Sequence, residues 1–439
     1  MNETIFALSS PLGGAIAVIR ISGPHSRETL EAVFTGACRH RYFSYGRIIS
    51  NGRIIDEASA VYLKGPSTYT GEDMAEIYTH GGPAAARGVM DAISALGVRP
   101  AEPGEFTKRA FLNGKMDLAQ CEAVCDLIYA TARRGAQSAL EQLQGGLSWR
   151  IGQIEEKLTD ALSYINALID FPDEMADEAQ ERLSEILGGA LAGLEALAKS
   201  GAKGRVLREG AKVVIAGKPN AGKSSLLNAL LGIERAIVAP LAGTTRDIIE
   251  EQMDWAGVPI RLIDTAGLHD TADAVERLGI KRTVDAVGSA DLILLAFDGQ
   301  SMSAEDEHVI ELARGRTFIA VVCKGDLPVT IDMDELKRRL GGGPVLVSSS
   351  ITGEGVEEIK TLAARIIAPD TESRLVTNAR HLHAIESAAD FIRESLGAAD
   401  LDCAAMDVRE ALTALAAITG RQVDDEVIAG IFSRFCVGK

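Results

Sequence analysis

Hydrophobic and polar positions change rhythm three times along the chain. From residue 1 to about 115, short β-like runs at 15–21, 47–55 and 58–63 are punctuated by Gly, Pro and Ser, with one helical stretch near 83–96. This pattern predicts an α+β domain. From Met116 to about Leu207 the rhythm turns helical, as in 149–171, where apolar residues recur at three- and four-residue spacing. Between 209 and 367, strand-like runs (212–216, 259–263, 292–297, 318–322, 345–347) alternate with helical segments, which predicts a parallel, doubly wound sheet. After Pro369 helix returns and continues to Phe435. Each flanking helical piece alone would leave an apolar stripe uncovered, so the economical reading is an α/β domain inserted into a helical domain. The expected segments are 1–115, 116–208, 209–367 and 368–439.

Composition narrows the class. A chain of 439 residues fits about three domains. With 45 Lys and Arg against 62 Asp and Glu, the net charge of −17 argues against a protein that coats nucleic acid through bulk electrostatics. A nucleic-acid partner must be met by a local basic patch; Lys108, Arg109, Arg133 and Arg134 are the best candidates, with solvated surface as the alternative. The cysteines Cys38, Cys121, Cys125, Cys323, Cys403 and Cys436 lack paired CxxC clusters and read as reduced thiols. The N-terminus has an acidic residue at position 3 and no basic group before Arg20, the wrong polarity for a signal peptide, and no apolar run reaches membrane-spanning length. The expectation is a soluble, cytoplasmic protein.

The strongest chemical signal is Gly217-Lys218-Pro219-Asn220-Ala221-Gly222-Lys223-Ser224, followed by Ser225, between a strand-like run and a helical run. This is a P-loop in its proper context. Its glycines let backbone N–H groups close on phosphate oxygens at a helix start, Lys223 meets the β- and γ-phosphates, and the Ser224 hydroxyl suits Mg²⁺. Further parts follow in order: Gly243-Thr244-Thr245-Arg246-Asp247, then Asp264-Thr265-Ala266-Gly267, then Cys323-Lys324-Gly325-Asp326. Thr245 reads as the switch residue over Mg²⁺ and the γ-phosphate, Asp264 as a metal-supporting group and Gly267 as an amide sensing the γ-phosphate. Asp326 reads guanine, because one carboxylate accepts from the ring N–H and the exocyclic amine together. Ser349 and Ser350 are expected to offer backbone contact to the base.

These motifs resemble the translation-factor-related GTPases, and the whole chain resembles the MnmE (TrmE) family of tRNA modification GTPases. The resemblance is carried by RISGP (20–24), YTGEDMAEI (69–77), HGGP (80–83), PGEFTKRAFLNGKMDLAQ (103–120), DFPDE (170–174), TNARH (377–381) and the terminal FSRFCVGK. It implies a tetrahydrofolate-binding-like N-terminal domain that dimerises and holds formyl- or methylene-tetrahydrofolate through Arg20, Glu76, Lys115 and Lys439. It also implies aminomethyl or carboxymethylaminomethyl transfer to C5 of a wobble uridine, together with the FAD-containing MnmG protein in a heterotetramer.

For hydrolysis, Ras-like enzymes follow the Asp-Thr-Ala-Gly motif with a Gln that orients water, whereas this chain has Leu268. The resemblance assigns that role to Glu276, which by itself reads equally as a solvated helix charge. It assigns the transition-state charge to K⁺, held by Asn220 and by the backbone of Ala239, Pro240, Leu241, Ala242, Gly243 and Thr244. Two departures stand out. Cys323 replaces the usual Asn of the guanine-reading motif, so a tie to the P-loop is expected to be lost; and the loop 10–16 is short and lacks the usual Arg. Cys436 is open between a reactive thiol and packing. Cys121 and Cys125 read as core, His381 and His383 as structural or capping groups. The competing function is a ribosome-assembly or RNA-binding GTPase switch without transfer chemistry.

Overall fold

The computed structural model describes residues 3–171, 176–232, 250–263, 287–312, 314–369 and 375–439. Contacts divide the chain into two compact units, Met1–Cys125 with Thr413–Lys439, and Asp126–Leu412.

The first unit is built on a six-stranded sheet of β1 (Ile5–Leu8), β2 (Ile16–Ser22), β3 (Ser44–Ser50), β4 (Arg53–Leu63), β5 (Met74–His80) and β6 (Arg99–Pro100), in the order β3-β4-β5-β2-β1-β6. Only β1 and β6 run parallel. The strand period of two decides the faces. Ala17, Ile19 and Ile21 of β2 are buried, in a core with Leu30, Val89 and Ile93 from helices Ser26–Val33 and Pro83–Ser94. Val18 and Arg20 point the other way and pair across to Tyr78 and Glu76. The run at 47–55 is not one strand. Asn51 and Gly52, at φ of 49° and 75°, form the two-residue turn of a hairpin and divide it between β3 and β4. At the far end of the chain, Phe432 of helix Asp425–Phe432 packs against Phe111 of helix Glu105–Leu112 and against Phe435, with ring centroids 6.4 and 5.4 Å apart. This contact brings the tail to the sheet.

The second unit combines long helices with an α/β layer. Helix Ala176–Glu209 packs against both helix Gly146–Asp170 and helix Ala379–Gly397, and Gly204 allows close approach: a Cβ there would lie 1.9 Å from the Val376 carbonyl oxygen. The sheet contains β7 (Ala211–Gly217), β8 (Glu250–Trp255), β9 (Val258–Ile263), β10 (Leu292–Asp298), β11 (Phe318–Cys323) and β12 (Val345–Val347), ordered β12-β11-β10-β7-β9-β8. Helices Lys223–Leu231 and Val356–Ile367 cover one face; helices Glu305–Leu312 and Met333–Arg339 cover the other. That is a doubly wound sheet, with one departure from the all-parallel expectation. The edge strand β8 runs antiparallel to β9 through a tight turn at Ala256 and Gly257, at φ of 48° and 88°. Among the described residues, no helix is long and apolar enough to cross a membrane.

Candidate functional sites

The P-loop lies where β7 feeds helix Lys223–Leu231. Buried Val213, Val214 and Ile215 fix the strand in the sheet, while Asn220 (φ 59°) and Gly222 (φ 97°) turn the chain into the helix. A Cβ on Gly222 would sit 3.0 Å from the Cys323 Cβ, so the loop can lie this close only with glycine there. Lys223 Nζ donates to the carbonyls of Gly217 (2.9 Å) and Lys218 (2.8 Å), which arches the loop around its ammonium. Ala221 is buried, whereas Asn220, Ser224 and Ser225 are exposed at the loop and the first helical turn. Helix-start N–H groups, an ammonium and a hydroxyl are the donor set that a Mg-bound triphosphate requires.

At the ends of β11 and β12, Ser349 Oγ donates to Asp326 Oδ1 at 2.7 Å. The same oxygen accepts from the N–H groups of Ile351 (3.3 Å) and Thr352 (3.2 Å). The Asp326 carboxylate is therefore oriented by a fully buried serine, through a side-chain contact that the sequence reading did not assign to Ser349. Lys324, at φ 62°, pairs with Asp298 at 2.6 Å. Burial works to raise the Asp298 pKa, but Lys324, the Gln300 N–H and Lys218 outweigh it, so the carboxyl stays below its ordinary range. Cys323 is buried, and its Sγ approaches the Val321 carbonyl at 3.8 Å. Burial pushes this thiol up to about 12, leaving a neutral group that meets Gly222 by packing. Ala239, Pro240, Leu241, Ala242, Gly243, Thr244, Thr245, Asp264, Thr265, Ala266, Gly267, Leu268 and Glu276 lie outside the described residues.

In the first unit, β2 and β5 place Arg20 opposite Glu76, and the two side chains pair at 2.9 Å. Tyr78 Oη donates to the second Glu76 oxygen at 2.7 Å; burial first, then this carboxylate, push the phenol up to about 12. The Arg20 guanidinium also lies 5.5 Å from the Tyr69 ring centroid and 5.9 Å from that of Phe106. The tail closes on this group. The Gly438 carbonyl accepts from Ser9 Oγ (3.1 Å) and Arg20 Nη1 (3.5 Å), and the Gly104 N–H donates to the Cys436 carbonyl at 3.3 Å. A Cβ on Gly438 would lie 2.4 Å from the Leu8 carbonyl oxygen, so glycine is required there. Burial, then the Arg20 cation, lower the Lys439 pKa against the pull of Glu76 and Cys436. Arg20, Glu76 and Lys439 are thus brought together. Lys115 is held elsewhere on the same wall: its Nζ donates to the Pro66 carbonyl at 3.1 Å, at the start of the segment that also carries Tyr69. The short loop 10–16 folds onto β5, with the Gly13 N–H donating to the Gly81 carbonyl at 3.0 Å.

One candidate for nucleic-acid contact falls away. Arg109 is 1% exposed and donates to Glu72 (2.9 Å), Glu105 (3.0 Å) and the Glu3 carbonyl (2.8 Å), so it is an internal brace. Arg134 donates to the Ala368 carbonyl at 2.8 Å, while Arg133 is exposed and Lys108 half-buried. Cys121 is buried and desolvation raises its pKa; Cys125 is half-buried. Cys436 is exposed. His381 is buried in the first turn after the Asn378 N-cap. Sequence reading placed Lys218 in the P-loop without giving it a role and passed over Asp298 and Asp306, although the spacing Ser303-x-x-Asp306 is a capping-box signal.

Comparison with known proteins identifies the family of the chain. The family model described as "GTP-binding protein TrmE N-terminus" matches residues 4–115, and that described as "MnmE helical domain" matches residues 118–436. Proteins named tRNA modification GTPase MnmE from Natranaerobius thermophilus and Symbiobacterium thermophilum are each 40% identical over 100% of this chain and 100% of their own length. The protein of that name from Roseiflexus sp. is 41% identical over 100% of this chain and 99% of its own. Among solved structures, the G domain of the T. maritima FeoB iron transporter is 34% identical over 35% of this chain and 97% of its own, with a TM-score of 0.28. With matches to the TrmE N-terminal and MnmE helical family models and 40% identity to those relatives over its full length, the chain belongs to the MnmE family of tRNA modification GTPases.

Proposed function

We propose that this GTPase couples GTP hydrolysis to the addition of an aminomethyl or carboxymethylaminomethyl group at C5 of the wobble uridine in certain tRNAs. Tetrahydrofolate is the one-carbon donor, and an FAD-containing MnmG protein is the partner in a cytoplasmic heterotetramer. In this reading residues 1–115 form the folate-binding domain through which the chain dimerises, 116–208 and 368–439 the helical domain, and 209–367 the GTPase domain.

The observation that carries the reading is the docked tail. Arg20 and the Gly438 carbonyl, 418 positions apart, share a hydrogen bond beside Glu76 and Lys439. A GTPase that only switches on a ribosome needs the P-loop and Asp326 but has no use for this arrangement. The residues suit a folate: Glu76, oriented by Arg20 and Tyr78, is an acceptor for amide-like pterin donors, and Lys439, Lys115 and Arg20 are cations for a carboxylate tail. When bound, the folate supplies the one-carbon unit. Cys436 is exposed on the tail and stands as a candidate nucleophile.

At the nucleotide site, the P-loop amides of residues 220–225 and Lys223 hold the β- and γ-phosphates, and Asp326 accepts from guanine with Ser349 behind it. Ser224 and Thr245 would hold Mg²⁺; Asn220 with the backbone of Ala239, Leu241 and Thr244 would hold K⁺. When bound, the two cations neutralise charge on the phosphates. Glu276 orients the attacking water, a task Leu268 cannot perform.

Nucleoside mass spectrometry of tRNA from cells lacking this chain, beside complemented cells, tests the reading. Loss of a C5-modified wobble uridine, restored on complementation, is expected. An unchanged profile would return the chain to a switch without transfer chemistry.

A further inference from the structure

Nucleotide affinity depends on a fixed distance between the loop that holds phosphates and the loop that holds the base, and Cys323 does not supply the hydrogen bond between them. Its Sγ meets the Val321 carbonyl at 3.8 Å and touches Gly222 only by packing. A second connection exists. Asp298 at the end of β10 pairs with Lys324 at 2.6 Å, and the Gly299 N–H donates to the Cys323 carbonyl at 3.1 Å, so the segment 298–306 is fastened at one end to the guanine-reading loop. At its other end Lys218, inside the P-loop, reaches into it. Lys218 Nζ donates to the Ser301 carbonyl (2.9 Å), Ser303 Oγ (3.3 Å) and Asp306 Oδ2 (2.8 Å), which uses all three donors of an ammonium.

This second fastening is buried. The Lys218 side chain is 9% exposed and that of Asp306 1%. Asp306 Oδ2 also accepts from the Ser303 N–H at 2.7 Å, closing a capping box at the start of helix Glu305–Leu312, while Oδ1 is buried without a hydrogen bond. The carboxylate therefore relies on Lys218. A buried ion pair adds little net stability over an apolar pair of the same volume, so what this one contributes is placement. The placement reaches the phosphates directly, because the Lys218 carbonyl accepts from Lys223 Nζ at 2.8 Å.

We propose that Lys218 and Asp306 are positioning residues for nucleotide binding: through the strap 298–306 they hold the phosphate loop at a set distance from the guanine-reading loop, in place of the hydrogen bond that Cys323 does not make. The proposal rests on the nucleotide site described above. Its test is the affinity of the full chain for fluorescent GDP and GTP analogues, measured beside steady-state kcat and KM. Lys218→Met is expected to weaken both nucleotides at least about tenfold with kcat within about threefold, and Lys218→Arg, which keeps a cation on Asp306, to stay within about threefold of the parent. The decisive variant is Lys218→Met combined with Cys323→Asn. Asn at 323 restores a direct tie between the loops and is expected to recover most of the lost affinity, which repair of a general folding defect would not do. If Lys218→Met does not fold, Asp306→Asn, of the same shape as the carboxylate, is read against the same Cys323→Asn rescue. Unchanged affinity in the single variant, or a loss that Asn at 323 leaves untouched, overturns the proposal. Failure of the underlying site reading shows separately: Asp326→Asn should shift preference from guanosine to xanthosine triphosphate, and if it does not, the base site is elsewhere.

Discussion

If the proposed function holds, Ser349 and Glu276 divide binding from chemistry at the level of single residues. Ser349 Oγ donates to Asp326 and also gathers two N–H groups of the following turn, so Ser349→Ala leaves the exposed Asp326 carboxylate unanchored and the two N–H groups without that acceptor, without touching the phosphates. Its expected effect is a loss of GTP and GDP affinity of about tenfold, with kcat at saturation nearly unchanged. Glu276→Ala is expected to do the reverse in potassium buffer: turnover falls by roughly 10²-fold or more, as for loss of a water-orienting group, and affinity stays within about twofold. Fluorescent-nucleotide titration together with single-turnover hydrolysis checks both. Equal losses in affinity and turnover for either variant would show that base holding and water orientation are not divided in this way.

Elements are joined in the first unit by a charge network that leads to a pH prediction. Glu105, at the start of helix Glu105–Leu112, takes two hydrogen bonds from Arg99 of β6 (2.8 and 3.0 Å), one from the Glu102 N–H (2.9 Å) and one from Arg109 (3.0 Å). Burial alone would raise its pKa, but Arg99, the Glu102 N–H and Arg109 together hold it at about 2 against an ordinary 4.5. A depressed carboxyl stabilises the folded state above its unfolded pKa, and the contribution drains away as pH falls from about 4.5 through about 2. The difference corresponds to about 3 kcal/mol. Glu105→Gln is expected to be less stable at neutral pH and to lose less on acidification across that window, as urea unfolding at stepped pH would measure; parallel curves for the two proteins would refute the assignment. None of this was legible as chemistry in the sequence, where Arg109 reads as a surface cation, because pairing with Glu72 and Glu105 depends on tertiary contact. The elements that could be read were those with strong apolar patterns: the continuous runs of β10 and β11, buried on both faces of the sheet, and the one-sided stripe of helix Gly146–Asp170. Polar β8 and short β1 and β6 were passed over, and the Asn51-Gly52 turn was hidden inside an apparent strand. At the candidate nucleotide site the loop residues, Lys218 among them, could be named from spacing alone, while Asp298, Asp306 and the partnership of Lys218 with Asp306 emerged only once the strands set them side by side.

At the scale of the whole molecule, each compact unit carries one candidate site, and the tail belongs to the unit that contains Arg20 and Glu76. Removing Cys436–Lys439 therefore discriminates between a tail that completes a binding site and one that finishes a fold. The segment contributes the Gly438 carbonyl to Ser9 and Arg20 and a half-buried Lys439, whereas Phe432 and Phe435, which make the apolar contact with helix Glu105–Leu112, remain in the shortened chain. Because the apolar anchor stays, the truncation is expected to cost little stability, of order 1–3 kcal/mol from three lost hydrogen bonds, to the Gly438 carbonyl from Ser9 and Arg20 and to the Cys436 carbonyl from the Gly104 N–H. Loss of the Lys439 cation and of the order it imposes on Arg20 should weaken formyl-tetrahydrofolate binding by about tenfold or more. GTP turnover, carried by residues of the other unit, should change less than about twofold. Calorimetric titration with the folate, thermal melting and GTP hydrolysis on the same preparation give the three numbers, and intact folate binding by the shortened chain would place the one-carbon site away from the tail.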